Sequence, residues 1–259
     1  MATSYNEMMK SFSDDEIIQR CKEATPDLLL SSVPYGGKVV KLTDQLAVKC
    51  GWLLGKDEAG NQAKAYEMLD PSIVRVPRVH RYFMDSKEHG YIVMDLMEGV
   101  IKDSIAEGPD QAAMSRILEH FASFKSQKPG PLTGGGPSRG FLFGDADHPT
   151  FESVQDMEAW FNVRLLDPKT EISFKGLELV FCHLDLFPRN IFWLDNHPPC
   201  VLDWTSAGFY PRIFERCSQL ITQQPETNPV ILDQSISQFE AVQVDLVHKA
   251  WWNNIKFSL

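Results

Sequence analysis

The 259-residue chain has no run approaching 18 uninterrupted apolar residues, and its opening, MATSYNEMMKSFSDDE, lacks a basic start followed by an apolar stretch. Neither a membrane-spanning helix nor a secretory leader is expected. Five cysteines (Cys21, Cys50, Cys182, Cys200, Cys217) are odd in number and form no CxxC pair, which speaks against a disulfide scaffold and favours a reducing, cytoplasmic setting. Positive charge is also scarce. With 25 Lys plus Arg against 35 Asp plus Glu, the formal charge is −10, and the sequence-independent attraction to nucleic acid is lost. Repeats and charge blocks are missing too. What is there suffices for a folded core: 43% of residues are apolar, 11% aromatic and 23% charged, which excludes wholesale disorder. At roughly 150 residues per domain, the length admits one large unit or two small lobes.

Periodicity separates those two options. In the first hundred residues, Ser13 and Glu16 form a capping box, and LLLSSV, KVVKL, LAVKC and YIVMDLM read as strands with a hairpin turn at Tyr35-Gly36-Gly37. One helical stretch, DEAGNQAKAYEML, falls between the third and fourth strands. Beyond residue 98 helices dominate. DQAAMSRILEHFASFKSQK carries Met114, Ile117, Leu118, Phe121 and Phe124 at helical spacing, with Asp110 placed to cap it. Further helices are expected from Ser153 and through ILDQSISQFEAVQVDLVHKAWW, where Trp251 and Trp252 read as core. Residues 128–145, KPGPLTGGGPSRGFLFGD, are a Gly- and Pro-rich loop. The pattern predicts an α+β, bilobal fold: a small antiparallel sheet with one inserted helix (residues 1–97), then a larger, mainly helical lobe (residues 98–259), with a cleft between them.

The chemistry-bearing residues crowd into FCHLDLFPRNIFWLDNHPPCVLDW, residues 181–204. LELVF, NIFWL and CVLDW read as strands, so Asp185 lies on the loop leaving the first, Asn190 opens the second and Asp203 closes the third. Phosphoryl transfer from a nucleotide needs such a set: a carboxylate to orient an attacking hydroxyl, and an amide oxygen with a second carboxylate to hold magnesium. It also needs a cation on the phosphates. Lys49 in LAVKC supplies one, on the strand face opposite Leu46, Val48 and Cys50.

HLDLFPRN fits the HxDxxxxN catalytic loop, VLDW the metal-binding aspartate, and LAVKC the nucleotide-lysine strand of kinase-like folds. The chain resembles aminoglycoside phosphotransferases and choline kinases more than protein kinases, because DW followed by TSAGFYP stands where protein kinases usually carry DFG. NQAKAYEMLDPSIVRVPRV, GYIVMDLMEG and GGGPSRGFLFGD look like a group of fungal phosphotransferase-family proteins. The resemblance implies a protein-kinase-like fold, Asp185 as catalytic base, Asn190 and Asp203 as magnesium ligands, Lys49 on the α and β phosphates, and the backbone of Met94, Asp95, Leu96 and Met97 as the hinge that meets adenine. Glu58 is the favoured partner of Lys49, with Glu67 and the position of Asn61 as open alternatives. ATP and Mg2+ are the implied cosubstrate and cofactor. The acceptor is a small molecule, such as a secondary metabolite or an amino alcohol, neutral or cationic more readily than acidic, since the chain is itself acidic.

Three departures open other readings. Leu184 stands where the family usually has glycine, and Phe187 where many relatives carry histidine; no GxGxxG cradles phosphates. An inactive nucleotide- or partner-binding pseudokinase, or the same fold turned to another reaction, is the alternative. His183 reads as a structural residue of the loop, Cys182 as a buried core thiol, and a zinc site from Cys182, His183, His197 and Cys200 lacks the tight ligand pairs it needs.

Overall fold

A computed structural model of the chain describes residues 12–32, 37–52, 54–144, 148–222 and 236–257. The first helix, α1 (Asp14–Lys22), starts at the expected capping box: Ser13 accepts from the Glu16 amide, and the Glu16 carboxylate accepts from the Ser13 amide. Strands β1 (Leu29–Ser32), β2 (Lys38–Lys41) and β3 (Leu46–Gly51) follow, then helix α2 (Lys56–Met68), then β4 (Val79–Met84) and β5 (Gly90–Asp95). These five strands form one antiparallel sheet in the order β1-β2-β3-β5-β4. Alternation along β3 works as expected. Leu46, Val48 and Cys50 join Ile17, Cys21, Val40 and Tyr91 in a buried cluster under α1, while Lys49 projects from the other face. Tyr35 and Gly36 of the expected hairpin turn lie outside the described residues.

Strand β4 is an addition to the sequence reading. It is the sheet edge, and its side chains are half-buried on both faces, so it shows none of the apolar alternation that marks a strand packed on one side.

Past the sheet come β6 (Val100–Ile101), helix α3 (Pro109–Ser123), β7 (Lys125–Ser126) and β8 (Gly130–Pro131), a single 3-10 turn at Phe141–Phe143, helix α4 (Val154–Asn162), and β9 (Leu179–Cys182). A second 3-10 turn at Pro188–Asn190 leads into β10 (Ile191–Trp193), followed by β11 (Cys200–Val201), β12 (Gly208–Pro211), helix α5 (Ile213–Ile221) and the long helix α6 (Gln238–Phe257). Two small sheets, β11-β10-β6 and β7-β9-β12-β8, support residues 183–207. The main core of this half gathers Phe143, Phe161, Phe174, Tyr210 and Phe214 with Val244 and Val247 of α6. A second core joins Ala65 and Leu69 to Ile117, Phe121, Phe181 and Trp204. It ties the end of α2 to the helical lobe.

Some local expectations change. Asp110 does not cap α3; Gly108 holds that position in a left-handed backbone with Pro109 next, and Asp110 pairs with Lys102 Nζ at 2.6 Å. Trp251 is partly buried against the main core, but Trp252 is 49% exposed, because neighbours along a helix point about 100° apart. The start expected for the last helix falls largely outside the described residues. Among the described residues no helix is long and apolar enough to cross a membrane, and the five cysteines are free and buried.

Candidate active site

Strand β3 presents Lys49 toward the first turn of α2, where Glu58 lies buried. Lys49 Nζ stands 2.6 Å from Glu58 Oε1 and 3.3 Å from Asp203 Oδ2. Burial opposes the charge on Lys49, but the two carboxylates outweigh it and leave its pKa above the usual value. Burial pushes Asp203 up as well, and the opposing pull, led by Lys49 and joined by the Thr205 hydroxyl, outweighs it, so its carboxyl stays below the ordinary range. Of the three candidates to pair with Lys49, the structure brings Glu58 to it. Glu67 pairs with Lys64 on the surface at 3.0 Å. Asn61 does something else: its Nδ2 donates to the carbonyls of Trp204, Thr205 and Ala207 at 3.1–3.4 Å, tying α2 to the segment after Asp203.

Thr205 completes this junction. Its hydroxyl lies 2.7 Å from Glu58 Oε2 and 2.9 Å from Asp203 Oδ1, so one proton serves two carboxylates. Strand β11 ends at Val201, two residues before Asp203, whose φ of +61° turns its carboxylate out of strand alternation. Trp204 fills the buried space beside it, donating from Nε1 to Val201 O at 3.1 Å and meeting the His183 ring edge-on at 4.6 Å.

The HLDLFPRN segment begins where β9 ends. His183 is fully buried, and burial drops its pKa to about 4, so it is neutral. Its Nδ1 accepts from the Asp185 amide at 3.2 Å, which leaves Nε2 to donate to Leu202 O at 3.1 Å. The ring therefore braces the loop. Leu184 has φ +63° and is fully buried among core side chains, where glycine would be the easy residue. Its amide donates to Glu215 Oε1 at 3.1 Å, and the His183 amide donates to the same oxygen. Glu215, from α5, is itself buried, and burial pushes its carboxyl up to about 7 against the pull of those two amides.

Asp185 sits in this frame with both oxygens engaged. Asn190 Nδ2 donates to Oδ2 at 2.7 Å and to the Asp185 carbonyl at 3.0 Å, and Arg189 Nη2 donates to Oδ1. Burial raises the Asp185 pKa to about 6, with Arg189 pulling it down and Asp203 pushing it up. Asn190 closes the 3-10 turn rather than opening a strand.

The donor set suits magnesium. With its nitrogen spent on Asp185, Asn190 has its amide oxygen to offer, and Asp203 has a half-exposed carboxylate. Magnesium takes hard oxygen ligands, needs one or two from protein, and fills the rest with water and phosphate. Among the described residues no group of three or more His, Cys, Asp or Glu side chains could hold a metal unaided.

Within Met94–Met97, the groups are unevenly committed. The Asp95 carboxylate takes His80 Nε2 at 2.7 Å and the Arg78 amide at 3.1 Å, while the Asp95 and Leu96 amides donate to Arg78 O and Gln45 O. Among the described residues no backbone carbonyl takes the Met97 amide. Sequence reasoning did not single out Thr205 or Glu215. The first stands in a quoted motif, and the second leaves only the trace of an acid, beside Arg216, in the helix start IFERC.

The glycine-rich stretch 128–144 runs beside the same elements. Gly60 on α2 has no room for a Cβ against Thr133, Gly140 sits against Ser206, and Arg139 approaches Asp57 at 3.8 Å.

The model of a phosphotransferase enzyme family matches residues 54–234. No curated protein matches the chain. Among solved structures, a thermostable mutant of aminoglycoside phosphotransferase APH(4)-Ia is similar at 13% identity, covering 93% of this chain and 89% of that one, with a TM-score of 0.57. A mutant of the same enzyme in ternary complex with AMP-PNP and hygromycin B shares 15% identity over 94% and 88%, with a TM-score of 0.52. Choline kinase LicA from Streptococcus pneumoniae shares 16% identity over 94% and 92%, with a TM-score of 0.50. At these identities the likeness is one of fold.

Proposed function

This chain belongs to the phosphotransferase enzyme family, and from that premise we propose that it is an ATP- and magnesium-dependent kinase acting on a small molecule. The carrying observation is Lys49 ion-paired at once to Glu58 and Asp203. That triad joins strand, helix and loop at the point where a nucleotide's phosphates need a cation.

In this reading residues 1–97 serve the nucleotide. Lys49 meets the α and β phosphates, Glu58 keeps its ammonium in place, and the Met94–Met97 backbone, with the Met97 amide as donor, meets adenine. Residues 98–259 carry the catalytic loop and the acceptor site. Asn190 and Asp203 hold magnesium, which supplies positive charge against the phosphoryl oxygens. Asp185 orients the acceptor hydroxyl and takes its proton. As the acceptor oxygen bonds to the γ-phosphorus, the bond from that phosphorus to the β,γ-bridging oxygen breaks, and its electron pair leaves with ADP. With a pKa near 6, Asp185 is mainly ionised at neutral pH and can accept that proton.

The acceptor is a neutral or cationic metabolite, a preference supported by the −10 charge of the chain. No nucleic-acid or membrane partner enters this reading, and the cytoplasm is the compartment it invokes. Leu184, the departure that opened the inactive reading, is accommodated by its packing in the core and by the Glu215 carboxylate on its amide. Both support retained turnover.

Thermal unfolding with ATP and magnesium tests the proposal. At a hundredfold excess over Kd the wild-type midpoint should rise by about 5 °C, and Asp203→Asn should lose most of that rise only when magnesium is present. A wild-type midpoint that ignores ATP with magnesium overturns the reading. Stabilisation without ADP formation over an acceptor panel favours the inactive binder.

A further inference from the structure

Apart from the magnesium proposed above, this chain's own charges around the triad do not balance for a triphosphate. Lys49 already answers two carboxylates, Glu58 and Asp203, and Asp185 adds a third acid close enough to Asp203 for its pKa to feel that charge. A nucleoside triphosphate brings several more negative charges. Among the described residues a further cation, Arg189, pairs with Asp185.

Arg189 precedes Asn190 in the 3-10 turn and donates from Nη2 to Asp185 Oδ1. Its guanidinium carbon lies 4.6 Å from the centroid of the Phe187 ring, a fully buried platform in the position where the family resemblance leads one to expect histidine. Arg189 keeps 42% of its side chain exposed, whereas Asp185 keeps 13%. Among the described residues no other hydrogen bond occupies Nη1 or Nε. The guanidinium is therefore fixed by a ring and a carboxylate, with the rest of its donor fork open to solvent.

Position then selects the ligand. The base must lie within hydrogen-bond reach of the attacking hydroxyl, and that oxygen must approach the γ-phosphorus to about 3–3.5 Å. A guanidinium bonded to the base is consequently one group away from the γ-phosphoryl oxygens, which its planar fork matches better than any neutral partner. The α and β phosphates lie farther from the base, on the Lys49 side.

Resting on the phosphotransferase reading, we propose that Arg189 is a second phosphate-binding cation of the site, holding Asp185 through Nη2 while its remaining N–H groups grip the γ-phosphoryl group of the nucleotide. Lys49 would answer the α and β phosphates, and Arg189 the one that moves.

A nucleotide pair that differs by the γ-phosphoryl group and the imido nitrogen that carries it isolates this role without knowledge of the acceptor. Calorimetric titration of the full chain with AMP-PNP and with ADP, magnesium present, should show Arg189→Ala weakening AMP-PNP by about tenfold while ADP affinity stays at the wild-type value. Arg189→Lys, which keeps a charge and loses the fork, should recover part of the difference. A ratio of AMP-PNP to ADP affinity that is the same in wild type and both variants overturns the role of Arg189, whether the two affinities are unchanged or fall together. Should the wild type bind neither nucleotide, the phosphotransferase reading itself fails, and the two failures are told apart.

Discussion

The two sides of the active site are placed by different means. Lys49 belongs to β3, paired on both flanks by β2 and β5, and its direction follows from strand alternation. The backbone at Asp185 and Asp203 is irregular, with left-handed residues at Leu184 and Asp203. It is held by side chains from elsewhere: Glu215 on two amides, His183 between Asp185 and Leu202, and Asn61 on three carbonyls. A ladder carries a sequence pattern directly into position. An irregular segment needs tertiary ties, and its precision depends on residues far away in the chain.

Removing the strongest of those ties should separate the two sides most. Glu215 is buried with its carboxyl raised from 4.5 to about 7, so the folded state keeps a proton that the unfolded state has released. Its contribution is full below pH 4.5 and is lost as pH rises through 7. The shift corresponds to about 3 kcal/mol. Urea unfolding of Glu215→Gln at pH 5 and pH 8 should show that loss removed, because glutamine cannot ionise yet keeps an acceptor for the two amides. An equal fall in stability in both proteins would place the ionisation elsewhere. Affinity for ADP without magnesium, which the proposed function assigns chiefly to Lys49 and the Met94–Met97 backbone, should change little.

A smaller effect sharpens the same contrast through its sign. In an ordinary helix or strand, glycine is less stable than alanine by 0.5–1 kcal/mol or so. At Leu184, both Leu184→Ala and Leu184→Gly should lose about 2–5 kcal/mol of core packing. The glycine variant should nonetheless be the more stable of the two by about 1 kcal/mol, since a left-handed φ strains every residue with a Cβ. Chemical unfolding midpoints of the pair decide it. An alanine variant as stable as the glycine one would remove strain from the account of this loop.

The same contrast explains what could be read without coordinates. The bilobal fold, the face of β3 that bears Lys49, and the helix carrying Glu58 follow from period-2 and period-3.6 patterns and from a spaced motif. The choice of Glu58 over Glu67 was left open because helix phase depends on where the first turn begins, which Gly55 sets without a side-chain cap. Strand β4 escaped notice because an edge strand half-buried on both faces has no alternation. Glu215, Thr205 and the bracing by Asn61 escaped it for a deeper reason. Each acts on backbone atoms or a single proton across a gap of many residues, and no local spacing encodes that.

The most direct test of the central claim is ADP formation from ATP and magnesium over a panel of small hydroxyl-bearing acceptors, with wild type and Asp185→Asn side by side. Wild type should form ADP in step with at least one acceptor. The variant should retain nucleotide binding and lose turnover by about 100- to 10,000-fold, the range for removing a general base. Equal turnover in the two proteins would contradict the assignment of Asp185 and the mechanism built on it.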